Sequence, residues 1–357
     1  MRSKFTGLIL TLAGVIVALS ALDRFLASVE SAEMEGTAQR SYVAGSRLLA
    51  AGKPAEAVDP LRNAHAVERE NSIYELALIT ALIDSGKTAD AEPLMTEMLE
   101  REPNDGNVNL IAARLDSREG KTAEAEAYYH RAIYGEWGDD PDKHRIAARL
   151  ELIDQQNKQG RKQELLAELI SLEAEPKADM AVRKRLASLF LQADSPSRAA
   201  SVYGEMIAKD PKDVGAYEGL GEAELEQGRY NAARAAFLQA SFHDPADVSI
   251  RSHLQMLNTV VGLDPTLRQL TSEEKYRRSL RILDMARAGL QTCSPGNPLI
   301  ASAASSISNK GLTPVNNEAA ERVLTVAESL WRAANEACPT RAREEDALKL
   351  LMKKLTG

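Results

Sequence analysis

Between Val214 and Asp247 apolar and small residues fall at helical spacing in two short runs. Tyr217, Leu220 and Gly221 share one face of the first run, and Ala233, Phe237 and Ala240 share one face of the second. Gly228 separates the runs and Pro245 closes them. A glycine relieves the left-handed turn that a side chain resists, and a proline cannot continue a helix. The small residues Gly221 and Ala233 predict two helix backbones in close approach, with Phe237 and Tyr230 filling the space beside them. The pattern recurs. Ala199, Tyr203 and Pro211 stand 34 residues before Ala233, Phe237 and Pro245. Upstream, Leu78, Leu82, Gly86, Ala91, Met95, Met98 and Pro103 repeat it, as do Ala113, Gly120, Ala125, Tyr129 and Ala132. A helix pair of this size cannot bury its apolar face alone and needs neighbours like itself.

These residues resemble the tetratricopeptide repeat family. The shared features are small residues at positions 8, 20 and 27 of a 34-residue unit, a large apolar or aromatic residue at position 24, and Pro at position 32. Six units are expected, at 38–71, 72–105, 106–139, 146–179, 180–213 and 214–247. There are departures. Ile79 and Met98 are larger than the pattern asks, Trp137 and Arg69 take Pro positions, Asp194 replaces the turn Gly, and Leu165 sits at a small-residue position. The resemblance implies an all-α fold in which stacked helix pairs form a solenoid.

The chain before the repeats reads differently. Phe5 to Leu22 runs 18 residues without a charge, after Arg2 and Lys4. That is close to the roughly 20 residues that cross a bilayer as a helix. The expectation is an uncleaved transmembrane helix over 5–29 after a cytoplasmic 1–4, followed by a polar neck over 30–37. The excess of basic residues before the span would keep the N-terminus inside and put the repeats in the periplasm of a bacterium. The alternatives are a signal cleaved after Ala18-Leu19-Ser20, leaving a secreted or periplasmic protein, and a buried soluble helix.

After the repeats, Ile250, Leu254, Leu257 and Val261 predict a capping helix over 248–263, since an end repeat must cover its exposed apolar face. A small helical domain is expected over 264–357. Thr271 with Glu274 has the form of a capping box, in which each side chain satisfies the other residue's orphan donor. Helices are expected from there to about Gln291, over 299–309, over 317–337 and over 341–355. Asp140 to Arg145, preceded by Trp137, reads as an insertion between repeats. It is either a contact point or a repair where two repeats stack imperfectly.

Composition adds exclusions. The chain has 357 residues, a net charge of −8 and 4% aromatics. No long basic run offers a surface for nucleic acid. The five His stand singly, with no metal-ligand spacing, phosphate loop or nucleophile–base set, so no metal, cofactor or catalytic residue is assigned. The two cysteines, Cys293 and Cys338, each end a long helix about 22 residues from its start. An up-down-up arrangement would bring both sulfurs to one end, where a disulfide is geometrically reasonable in an oxidising compartment. The alternative is two separate buried thiols.

Ligand contacts in the family usually come from positions 2, 5, 9, 12 and 13. Carried onto this chain, the resemblance implies Tyr42, Asn107, Arg114, Arg118, Asp154, Lys158, Lys184 and Glu222 as groove residues. Arg114, Arg118, Lys158 and Lys184 make the expected wall basic at its centre, suited to an acidic or C-terminal peptide segment. Glu218, Glu222 and Glu226 make its end acidic. The alternative reading is ordinary solvated side chains. The function this implies is a membrane-tethered scaffold that binds a protein or peptide partner. One alternative is a subunit of an envelope assembly acting through 264–357, and another is an enzyme with an unrecognised site there.

Overall fold

The computed structural model describes the backbone at residues 2–308, 316–338 and 346–356, and side chains at 20–303, 316–338 and 347–355. The chain divides into two compact units. The first is Met1–Glu168 with Glu175–Lys177, and the second is Leu169–Ala174 with Ala178–Gly357. Among the described residues the secondary structure is helical, apart from an isolated bridge between Asp105 and Glu136.

The first unit contains α1 (Arg2–Ala50), α2 (Pro54–Val67), α3 (Ser72–Asp84), α4 (Thr88–Arg101), α5 (Gly106–Glu119), α6 (Thr122–Tyr134) and α7 (Pro141–Lys158). The boundary between the units falls within α8 (Lys162–Glu173). Repeat punctuation shows in the caps. Asn71 and Asp105 lie one repeat apart, and their side chains accept the backbone N–H of Tyr74 and Val108. Asp179, Asp213 and Asp247, again one repeat apart, do the same for Val182, Ala216 and Ile250. An N-cap acceptor of this kind satisfies one of the orphan donors of the first turn. The turns use Gly at positive φ, as at Gly120 (φ 77°), and Asp194 (φ 54°) adopts the same conformation where the glycine is missing.

Buried apolar faces then close each pair. In the first unit Leu61, Ile79, Leu82, Ala91, Met98 and Ile111 form one continuous core. In the second unit Ala233, Phe237, Ala240, Ile250 and Leu257 form another. Close approach depends on missing side chains. A Cβ on Gly221 would lie 2.6 Å from the Phe237 ring, so the ring occupies the place a methyl would take. Ala233 is fully buried beside it.

Three expectations are corrected here. The polar neck over 30–37 is helix, because α1 runs without a break from Arg2 to Ala50. Its Glu, Ala and Met residues favour helix, and the Thr37 hydroxyl bonds back to the Glu33 carbonyl. The expected insertion 140–145 is mostly the first turns of α7, opened by Pro141 at a position where a missing N–H costs nothing. Trp137 is a repair rather than a free contact. Its ring lies over Gly106, its Nε1 donates to the Ala132 carbonyl at 2.8 Å, and it stacks on His144 at 4.9 Å.

The third correction concerns location. Among the described residues no helix is long and apolar enough to cross a membrane. That overturns the single-pass inner-membrane placement with an inside N-terminus, and the periplasmic alternative has no support. Over the described part of α1, Leu22, Phe25 and Leu26 alternate with Asp23, Arg24, Glu30, Glu33 and Glu35. The side chains of residues 1–19, which include most of the 5–22 apolar run, lie outside the described residues.

The second unit continues with α9 (Met180–Gln192), α10 (Pro196–Lys209), α11 (Val214–Glu226), α12 (Tyr230–His243) and α13 (Val248–Leu263). Then come α14 (Ser272–Cys293), α15 (Pro298–Ser308), α16 (Asn317–Ala337) and α17 (Asp346–Thr356). The Thr271 hydroxyl accepts the Glu274 N–H at 3.2 Å, but the Glu274 carboxylate turns to Arg277 and Arg278, so only half of the capping box forms. The expected helix ends at 309 and 341–345 lie outside the described residues. The segment after 264 shares its packing with the repeats. Leu350 and Ala347 pack against the core around Phe237 and Leu257, while Leu348, Leu351 and Met352 are fully buried against α14 and α16 residues.

Candidate interaction surface

Arg114, Ser117 and Arg118 occupy one side of α5, since residues three and four apart share a helix face. They line a cavity of about 370 Å³ with Thr80, Ile83 and Asp84 of α3, Ile111 of α5 and Tyr129 of α6. An adjoining cavity of about 440 Å³ shares Ser117 and Tyr129 and is closed by Glu151, Asp154, Gln155 and Lys158 of α7. Both lie in the first unit.

Charge here is arranged across repeats. The Arg114 guanidinium donates to both oxygens of Glu151, at 2.9 and 2.6 Å. That hydrogen bond, against the cost of burial, raises the Arg114 pKa above its ordinary value. Arg118 donates to Asp84 at 2.8 Å, and this pair is about half exposed, with side-chain exposures of 51% and 44%. Two of the four basic residues expected at the centre of the wall, Arg114 and Arg118, are therefore engaged in cross-repeat ion pairs. Tyr129 is buried at the back of both cavities, and burial first, then the Glu151 charge, raises its pKa.

The eight expected groove residues separate into groups. Arg114, Arg118, Asp154 and Lys158 come together on the two cavities. Tyr42 is half-buried and stacks on Tyr74 at 4.9 Å, away from both cavities. Asn107 is exposed at the first turn of α5 and lines neither cavity. Lys184 and Glu222 belong to the second unit, where both are exposed. There Lys184 lies over Gly215, its Nζ 2.7 Å from where a Cβ would stand. Burial, then Asp247 and Glu222, raises the pKa of Glu218. Among the described residues no group of three or more His, Cys, Asp or Glu side chains could hold a metal ion.

Sequence reasoning missed Asp84, Glu151 and the apolar floor of Ile83 and Ile111. A signal for the first was present: Asp84 and Arg118 stand 34 residues apart, one repeat, so they occupy equivalent places on neighbouring helices.

Family models of the tetratricopeptide repeat match residues 48–115 and 82–150, and a second such model matches 184–247. The chain contains tetratricopeptide repeats over these residues. The matched repeats account for α2 to α6 with the start of α7, and for the pairs α9–α10 and α11–α12. No curated protein matches the chain. Solved structures are similar at low identity. One is the C-terminal part of a tetratricopeptide repeat protein from Cytophaga hutchinsonii, at 12% identity, covering 86% of this chain and 99% of that one, with a TM-score of 0.45. Another is a tetratricopeptide repeat protein from Parabacteroides merdae, at 15% identity, 82% and 99% coverage and a TM-score of 0.39. A third is PilW, a type IV pilus biogenesis factor, at 16% identity, 61% and 98% coverage and a TM-score of 0.40. At these values none of the three carries a functional argument.

Cys293 and Cys338 end α14 and α16 with their Cα atoms 5.6 Å apart and their sulfurs in contact, a pair placed to form a disulfide.

Proposed function

We propose that the two adjoining cavities of the first unit hold an extended segment of a partner protein, recognised through a carboxylate and a neighbouring apolar side chain. The family supports a protein–protein interaction scaffold, and the reading within it rests on one observation. Arg114 and Arg118, one turn apart, line the same cavity as Ile83, Ile111 and Tyr129. Guanidinium donors beside an apolar floor suit a carboxylate-bearing peptide, and a side-chain or C-terminal carboxylate would serve.

Magnitudes separate the two arginines. An exposed ion pair such as Arg118–Asp84 is worth no more than about 1 kcal/mol, so an incoming carboxylate can displace Asp84. Arg114 is held by two bonds to Glu151 and is better read as a fixed part of the wall. Arg118 is then the exchangeable cation, with Lys158 as a second one in the adjoining cavity.

Display of random peptides against the full chain and against Arg118→Glu tests this. The wild-type chain is expected to enrich sequences that place Asp, Glu or a free C-terminus beside an apolar residue, and the variant is expected to lose that enrichment. An unchanged motif on the variant would remove this cavity from the account.

A further inference from the structure

The two cavities of the first unit share a wall, and one ion pair straddles it. Ser117 and Tyr129 line both cavities, whereas Arg114 lines only the first and Glu151 only the second. Two hydrogen bonds, at 2.9 and 2.6 Å, lock the guanidinium to the carboxylate across that wall. A bidentate pair has a fixed geometry, so its cation stays on one side and its anion on the other. The pair is a dipole set across the path from one cavity to the next.

The other charges reinforce it. The first cavity has two cations, Arg114 and Arg118, against one anion, Asp84. The second has two anions, Glu151 and Asp154, against one cation, Lys158. Tyr129, on the shared wall, feels the difference. Its pKa is raised by burial first and then by Glu151, whose effect exceeds the opposing one of Arg114, and Asp154 raises it further. The aliphatic side chains Ile83 and Ile111 lie on the first cavity alone.

We propose that the segment held here is of mixed charge. Its acidic and apolar residues occupy the first cavity, and a Lys or Arg side chain enters the second, against Glu151 and Asp154. This rests on the reading of the two cavities as one peptide site and supplies the second half of its motif. A segment so charged lies head to tail against the dipole of the wall. Packed helices stand about 8–10 Å apart, and extended chain rises about 3.3 Å per residue, so the base stands about three residues from the acid.

Labelled synthetic peptides titrated onto the full chain test this. A peptide enriched on the wild-type chain is remade with Lys, Gln or Glu three residues to either side of its acid. On one side Lys is expected to bind about tenfold tighter than Glu, with Gln between them. Asp154→Lys should reverse that order, and it leaves the Arg114–Glu151 pair in place. The peptide series on the wild type decides the question even where that variant fails to fold. Equal affinity for Lys, Gln and Glu on both sides, in peptides that Arg118→Glu no longer binds, would overturn the basic requirement and leave the first cavity's role intact. An unchanged order on folded Asp154→Lys would take the base out of this cavity. Peptides that Arg118→Glu binds as well as the wild type would overturn both readings.

Discussion

Two glycines of neighbouring helices carry opposite expectations, because their surroundings differ. A Cβ at Gly221 meets the Phe237 ring at 2.6 Å, and that ring is 1% exposed, with nowhere to move. A Cβ at Gly204 meets nothing within 4 Å. Alanine favours a helix interior over glycine by about 0.5–1 kcal/mol, while overpacking a core costs about 1–3 kcal/mol. Gly204→Ala should therefore stabilise the second unit by that smaller amount, and Gly221→Ala should destabilise it on balance. Chemical denaturation monitored by circular dichroism reads both signs. Equal effects would show that the ring does not limit the approach of the two helices.

Glu218 gives a pH-dependent prediction at the same scale. Its pKa is raised from 4.5 by burial first, then by Asp247 and Glu222. A raised carboxylate pKa means that the charged form is disfavoured in the folded state, so ionisation costs stability above the folded pKa. Glu218→Gln should thus be the more stable form at pH 7, and its advantage should vanish below about pH 4.5, where both states of the wild type are protonated. Melting curves across that window check it, and an advantage that grew on acidification would contradict the assignment.

At the scale of elements, α17 is tied back to the repeats by specific bonds. Lys354 Nζ lies 2.6 Å from Asp264 Oδ2, and that Asp264 side chain is only 3% exposed. The Tyr230 hydroxyl donates to the Leu350 carbonyl at 2.5 Å. Removing one partner from a fully buried pair costs about 3–5 kcal/mol. Lys354 is a third exposed and Thr266 also bonds Asp264, so Lys354→Ala should cost nearer 1–2 kcal/mol by the same reasoning. The cysteine pair spans 45 residues of chain, and Cys338→Ser should lower stability by about 2–4 kcal/mol under oxidising conditions. Under reducing conditions the variant and the wild type should melt together.

Elements also show what the sequence could disclose. Helix pairs were legible because small, aromatic, Gly and Pro positions recur with one period, and the Asp caps at 179, 213 and 247 keep that period too. The continuity of α1 through 30–37 was hidden because a charged stretch reads alike as neck or as exposed helix. The start of α7 was hidden because Pro141 suits a loop and a first helical turn equally well. The return of α17 onto Tyr230 joins residues 120 apart outside any repeat, and no local pattern encodes it.

For the molecule as a whole, the excess of acid over base says little about the site, because charge is arranged pairwise. The sequence marks Arg114, Arg118 and Lys158 as cations at ligand-facing repeat positions. It conceals that Glu151 and Asp84, on neighbouring repeats, already engage two of them. One repeat of spacing accounts for Arg118–Asp84, whereas the Arg114–Glu151 pair, 37 residues apart, does not join equivalent repeat positions. Binding that exchanges Asp84 for a ligand carboxylate should weaken as salt rises, since the exchanged pair is exposed.

The most direct measurement is the affinity of a labelled acidic peptide, taken from selection on the wild-type chain, for the full protein and for Arg118→Glu. Reversing the charge of the exchangeable cation should raise the Kd at least about tenfold, a loss of roughly 1.4 kcal/mol. An unchanged Kd would show that partners are not held by this wall, and the first unit's cavities would cease to be the binding site.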